Sequence, residues 1–115
     1  MSRSVLLQLA RDSVLEVFQA QRVIDKTSLL KEHPLLAQNI PNKITLYLEG
    51  ETRGVSSVDG VPLLDGIVYN AKKATFEDTK YPIITFSEYL RCELEIVLYT
   101  SDGVLSERDK PILEG

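Results

Sequence analysis

Two stretches of this chain alternate apolar and polar residues strictly enough to fix their backbone. In Lys43–Glu49, Ile44, Leu46 and Leu48 take one side, and Thr45, Tyr47 and Glu49 the other. In Cys92–Thr100, Cys92, Leu94, Ile96 and Leu98 alternate with Glu93, Glu95, Val97 and Tyr99. A period of two is that of a half-buried β-strand. Each strand therefore carries one apolar face that another layer must cover. Two amphipathic stretches supply the cover. From Ser4 to Gln19, the residues Leu6, Leu9, Ala10, Ser13, Val14 and Val17 recur at helical spacing, with Arg3, Arg11, Asp12, Glu16 and Gln19 mostly opposite. From Pro62 to Phe76, the residues Leu64, Ile67, Val68, Ala71, Ala74 and Thr75 form a second inner face. Asp65 in its first turn and Lys72 and Lys73 in its last carry the signs the helix dipole favours. Gly66 costs this helix roughly 1 kcal/mol against alanine, which makes sense where another backbone packs close.

Turn chemistry sets the connections. Glu49-Gly50-Glu51 reads as a tight turn, which makes Thr52–Val58 the returning strand of a hairpin, and Asp59-Gly60 turns the chain again. Asp25-Lys26-Thr27-Ser28 reads as a turn; Pro34 opens a short helix through Gln38, which Pro41-Asn42 stops. Asp78 to Ile84 is irregular, and Thr85 with Glu88 has the spacing of a capping box for one helical turn ending near Leu90. Ser101-Asp102-Gly103 is a turn, followed by a short edge strand or a tail. Helix, hairpin, helix, strand is an α+β order: a mostly antiparallel sheet with two main helices packed against it, in one domain over residues 1–115.

Composition narrows the function classes. The chain is 43% hydrophobic and 26% charged, as in globular domains, with a net charge of −4 and a pI near 5.0. An acidic balance argues against general nucleic-acid binding, whose affinity comes from phosphate neutralisation by Lys and Arg. RNA binding would also need exposed aromatic platforms, for which the tyrosine candidates are Tyr47, Tyr69, Tyr81, Tyr89 and Tyr99. One cysteine and one histidine build neither an intramolecular disulfide nor a Cys/His metal cluster, and no EF-hand spacing is present. No metal site and no cofactor is expected. No apolar run approaches the ~20 residues of a membrane span, and the start of the chain lacks a signal-peptide core. A reduced, cytoplasmic setting follows.

Four segments carry the candidate chemistry: Thr52-Arg53-Gly54-Val55-Ser56-Ser57, Asn70-Ala71-Lys72-Lys73-Ala74-Thr75-Phe76-Glu77-Asp78, Lys80-Tyr81-Pro82 and Leu94-Glu95-Ile96-Val97. Gly54 lets a backbone or ligand approach while Arg53 holds an anion; alternatively, Gly54 marks a bulge and Arg53 pairs with Glu51 or Glu95. Ser56 and Ser57 offer hydroxyls with no base in view. Glu49, Glu51, Asp59 and Asp65 against Arg53 alone disfavour a phosphate there. Asp78, Lys80 and Tyr81 form either a rigid connection or the rim of a cleft with Arg53. Cys92 alternates with Leu94 and Ile96, so it reads as a buried thiol. His33 reads as a surface residue in a loop.

Taken in order, the four segments resemble the AMMECR domain family, whose centre runs roughly L-R-G-C-I-G, N-A-x-x-A-x-F-x-D, R-F-P-P and L-x-I-E-V. The match spans Leu46 to Leu98. The family's cysteine is Val55 here and its I-G is Ser56-Ser57, which closes thiol chemistry at that position. The resemblance implies an AMMECR-like fold without the family's usual C-terminal extension. It also implies association with Memo-like or radical S-adenosylmethionine proteins, and a candidate cleft at Arg53, Gly54, Ser56, Asp78, Lys80 and Tyr81. The expected function is a non-catalytic or accessory domain that binds another protein or its substrate, with a protein partner or a homo-oligomer expected. The alternative is a thiol-independent enzyme acting on a small anionic substrate, with Arg53 orienting the anion and Asp78 or Lys80 moving a proton.

Overall fold

The computed structural model describes residues 4–77 and 84–112. Four antiparallel strands form one sheet in the order β2-β1-β3-β4: β1 Asn42–Leu48, β2 Glu51–Val58, β3 Cys92–Thr100 and β4 Gly103–Asp109. Among the described residues four helices accompany it: α1 Val5–Gln19, α2 Lys26–Glu32, α3 Leu63–Phe76 and α4 Phe86–Leu90, with a 3-10 turn at Pro34–Ala37. The fold is α+β, with the two main helices on one face of the sheet. There α3 crosses β1 and β2 and packs against α1, which lies over β3 and β4.

The inward residues of the two alternating strands meet this helical layer. Ile44, Leu46, Leu94 and Ile96 on the sheet, with Leu9, Ala10 and Val14 of α1 and Leu64, Ile67, Ala71 and Ala74 of α3, form the buried core. The β1–β2 hairpin turns through Glu49 and Gly50, both at positive φ (53° and 84°). That is the type I′ geometry whose twist suits a two-residue hairpin. Thr85 and Glu88 form the complete capping box that opens α4. An aromatic cluster closes the far end of the helical layer, with Phe18 of α1 edge-on to Phe76 and Phe86 at 5.1 and 5.0 Å between ring centroids.

The structure corrects three expectations. Asp25–Ser28 is the capped start of α2 rather than a turn, because the Asp25 carboxylate accepts hydrogen bonds from the Ser28 amide and hydroxyl. Arg11 belongs to the inner face of α1: it is 1% exposed and donates from Nε to Asp109 at 2.5 Å and from Nη2 to the carbonyls of Cys92 and Lys110. Val17, placed on that inner face by periodicity, is 47% exposed. The residues after Gly103 take the edge-strand alternative, as β4.

Candidate functional site

Strand pairing at the end of the β1–β2 hairpin slips by one residue. Leu46 faces Gly54 but Tyr47 faces Thr52, so Arg53 is the extra residue of a β-bulge. A bulge breaks the alternation, and Arg53 and Gly54 both turn to the inner, helix-covered face, where each is buried. Gly54 sits directly beneath α3: a Cβ there would collide with the Ala74 carbonyl oxygen. The glycine serves the close approach of a helix backbone. Arg53 is 8% exposed and lies near the α4 end of the sheet, where its charge helps hold the Glu88 carboxylate below the usual range, after the larger effect of the Thr85 amide and hydroxyl. Glu95, a suggested partner of Arg53, is engaged elsewhere, by Tyr47 at 2.9 Å and Arg108 at 3.2 Å.

Ser56, the next inward residue, donates to Asn70 Oδ1 at 2.8 Å. Asn70 Nδ2 in turn donates to Asn42 Oδ1 and to the Asn42 carbonyl at 2.7 and 3.2 Å, and Asn42 Nδ2 donates to the Ile40 carbonyl at 3.0 Å. All three side chains are buried. This network ties the centre of α3 to β1 and β2, and buried polar groups keep their place by such mutual satisfaction. It also explains Gly66: a Cβ there would come within 2.6 Å of Asn42 Nδ2. The asparagine of the second motif is thus a bolt between layers, and the Ser56 hydroxyl is consumed by it.

Cys92 is fully buried, and its thiol donates to the Glu88 carbonyl at 3.3 Å. Burial pushes its pKa up to about 11, against the opposing charges of Arg11 and Arg53. Val55 points to the open face of the sheet and is 49% exposed. His33 is on the surface, 4.0 Å from Glu32. Asp78, Lys80 and Tyr81 lie outside the described residues. Of the six candidate residues, the structure brings Arg53, Gly54 and Ser56 together under α3.

Two surface depressions lie elsewhere, and Arg53 lines neither. One, of about 640 Å³, is ringed by Glu16, Arg22, Lys26 and Lys72 between α1 and α3. The other, of about 190 Å³, is apolar and is formed by Leu6, Ile96, Leu98 and Leu105 beside β4. Among the described residues no cluster of His, Cys, Asp or Glu could hold a metal ion, and no helix is long and apolar enough to cross a membrane. Sequence reasoning missed Arg11 and the asparagine network. Arg11 stands four residues after Leu7 and three before Val14, both buried, and that spacing was the available signal.

No family model and no curated protein matches the chain. Its fold is similar to that of a solved structure, the crystal structure of the uncharacterised protein PH0010 from Pyrococcus horikoshii. The TM-score is 0.67 at 18% identity, over 81% of this chain and 48% of that one. The chain thus spans about half the length of the solved protein it matches, and the likeness is one of fold.

Proposed function

We propose that this chain is a non-catalytic, AMMECR-like domain that binds another protein in the cytoplasm, as an accessory to Memo-like or radical S-adenosylmethionine proteins. The observation that carries this reading is the use to which the motif residues are put. Gly54 admits α3, Ser56 is held by Asn70, and Cys92 is sealed in the core. The outward-facing Val55 stands where the family pattern has its cysteine and offers an apolar contact in place of a nucleophile. The enzyme alternative has less support, since it needs a guanidinium open to an anion and Arg53 is 8% exposed.

The test is coexpression of the tagged chain with the Memo-like and radical S-adenosylmethionine proteins of its source organism. One of them should co-migrate through size exclusion, and Val55→Asp should weaken that complex by roughly tenfold or more. Co-migration of neither, or a complex indifferent to Val55→Asp, would remove the reading.

A further inference from the structure

The sheet has two edges, and they are guarded differently. β2 carries the bulge at Arg53 and begins at Glu51, both devices that discourage pairing with another strand. β4 has an unbroken register with β3 over its whole length and presents Val104 at 65% and Leu105 at 60% exposure. Those are the two most exposed large apolar residues described in the molecule. Leu105 faces the helical side, where it borders the apolar depression shared with Leu6, Ile96 and Leu98.

The direction of the β4 hydrogen-bonding groups follows from its neighbour. The Tyr99 amide donates across to the Pro41 carbonyl at 2.9 Å, so Tyr99 turns its backbone towards β1. Leu98 and Thr100 then turn theirs towards β4, where they face Leu105 and Gly103. The N–H and C=O groups of Val104, Ser106 and Arg108 consequently point out of the sheet, with no strand beyond them among the described residues.

We propose that β4 pairs antiparallel with β4 of a second copy of this chain, about a two-fold axis at Leu105, to give a continuous eight-stranded sheet. The Leu105 pair and the charges together favour this register. With Leu105 opposite its own copy, Val104 meets Ser106, Glu107 meets Gly103, and Arg108 comes opposite Asp102 of the turn. A shift that centres the axis on Glu107 or Arg108 sets like charges against each other. Arg108 is prepared for a further acid: Nε and Nη1 are taken by Glu95 and Glu93, and no hydrogen bond among the described residues uses Nη2. Pairing also buries two leucines at the axis and extends the apolar depression across it. The interface is isologous and therefore closes at two copies. It lies at the edge opposite Val55, so the partner reading above and this one stand or fall separately.

Sedimentation equilibrium of the wild-type chain should give a concentration-dependent dimer. Ser106→Pro removes an outward N–H without touching the β3 ladder; it should yield a monomer with unchanged far-UV circular dichroism and the melting temperature the wild type has when diluted to monomer. Leu105→Cys places two thiols on a non-hydrogen-bonded pair with Cα atoms about 4.5 Å apart, within disulfide reach, and should cross-link under mild oxidation. Cys92, being buried, does not confuse that result. A wild-type monomer at every concentration would overturn the proposal and leave the edge to a different polypeptide. So would a dimer in which Leu105→Cys fails to cross-link, because the contact would then use another face.

Discussion

Glycine 54 shows how one residue can be read for function and used for packing. Arginine followed by glycine suggests a place where a ligand reaches the backbone, but the approaching group is the Ala74 carbonyl of α3. Gly54→Ala forces backbone against side chain with no flexible atom to yield. Overpacking of a core typically costs about 1–3 kcal/mol and occasionally more, so a loss near 3 kcal/mol is expected in urea unfolding. A change within experimental error would mean that α3 does not lie so close. Cys92 makes a second residue-level prediction. Its thiol is buried, and its pKa is raised to about 11. It should resist a thiol reagent at pH 8 in the native state and react at once in denaturant. Rapid native labelling would contradict its position. The alternation of Cys92 with Leu94 and Ile96 had already put this thiol inside. The sequence offers a bulge at Gly54 as one of two alternatives, whereas the extra residue is Arg53, because the slip of one residue depends on a pairing partner that the strand's own sequence does not name.

At the level of elements, β4 reads as an edge strand or a tail, while β1, β3 and the two long helices are legible in their apolar periods and β2 in the glycine turn before it. The short α2 is not, because none of its residues is buried and no apolar face announces it. What starts it is the Asp25 cap, a signal equally compatible with a turn. The segment between α1 and α2 is held by another carboxylate. Glu16 accepts hydrogen bonds from the Val23 and Ile24 amides at 2.8 and 2.9 Å and pairs with Lys72 at 3.6 Å. Burial alone would raise its pKa, but the two amides and Lys72 outweigh that and hold it below its ordinary 4.5. A carboxylate depressed in the folded state stabilises it above the ordinary value, and that contribution is lost as the pH falls through the folded pKa. Glu16→Gln should therefore melt lower than wild type at pH 7, and the two melting temperatures should converge as the pH falls below the ordinary carboxylate range. A difference that is constant from pH 7 to pH 3 would show that the charge of Glu16 is irrelevant to the loop.

For the molecule as a whole, the amino-terminal helix and the last strand are joined by Arg11. Its guanidinium reaches Asp109 and the carbonyls of Cys92 and Lys110, and it lies 5.2 Å from the centre of the Tyr89 ring. The spacing of Arg11 from Leu7 and Val14 marks its inward position, but its partners cannot be read from the chain, since they stand far apart in sequence. The side chains of Arg11 and Asp109 are 1% and 11% exposed, so removing one takes the opposite charge from the other in a largely desolvated place. Breaking a buried pair in this way costs about 3–5 kcal/mol, whereas replacing both partners by apolar groups is often nearly neutral. Arg11→Met should thus lose stability in that range and, by freeing the carboxyl end of β4, raise the amide exchange rates of Ser106 to Asp109 before those of β1. Arg11→Met with Asp109→Leu should recover most of the loss. If the single and double variants are equally unstable, the guanidinium matters for its volume, and the tie between the first and last elements is made by packing alone. If the double variant recovers stability with β4 protected from exchange, the charge pair fixes which groups meet there, while the surrounding core supplies the energy that keeps them together.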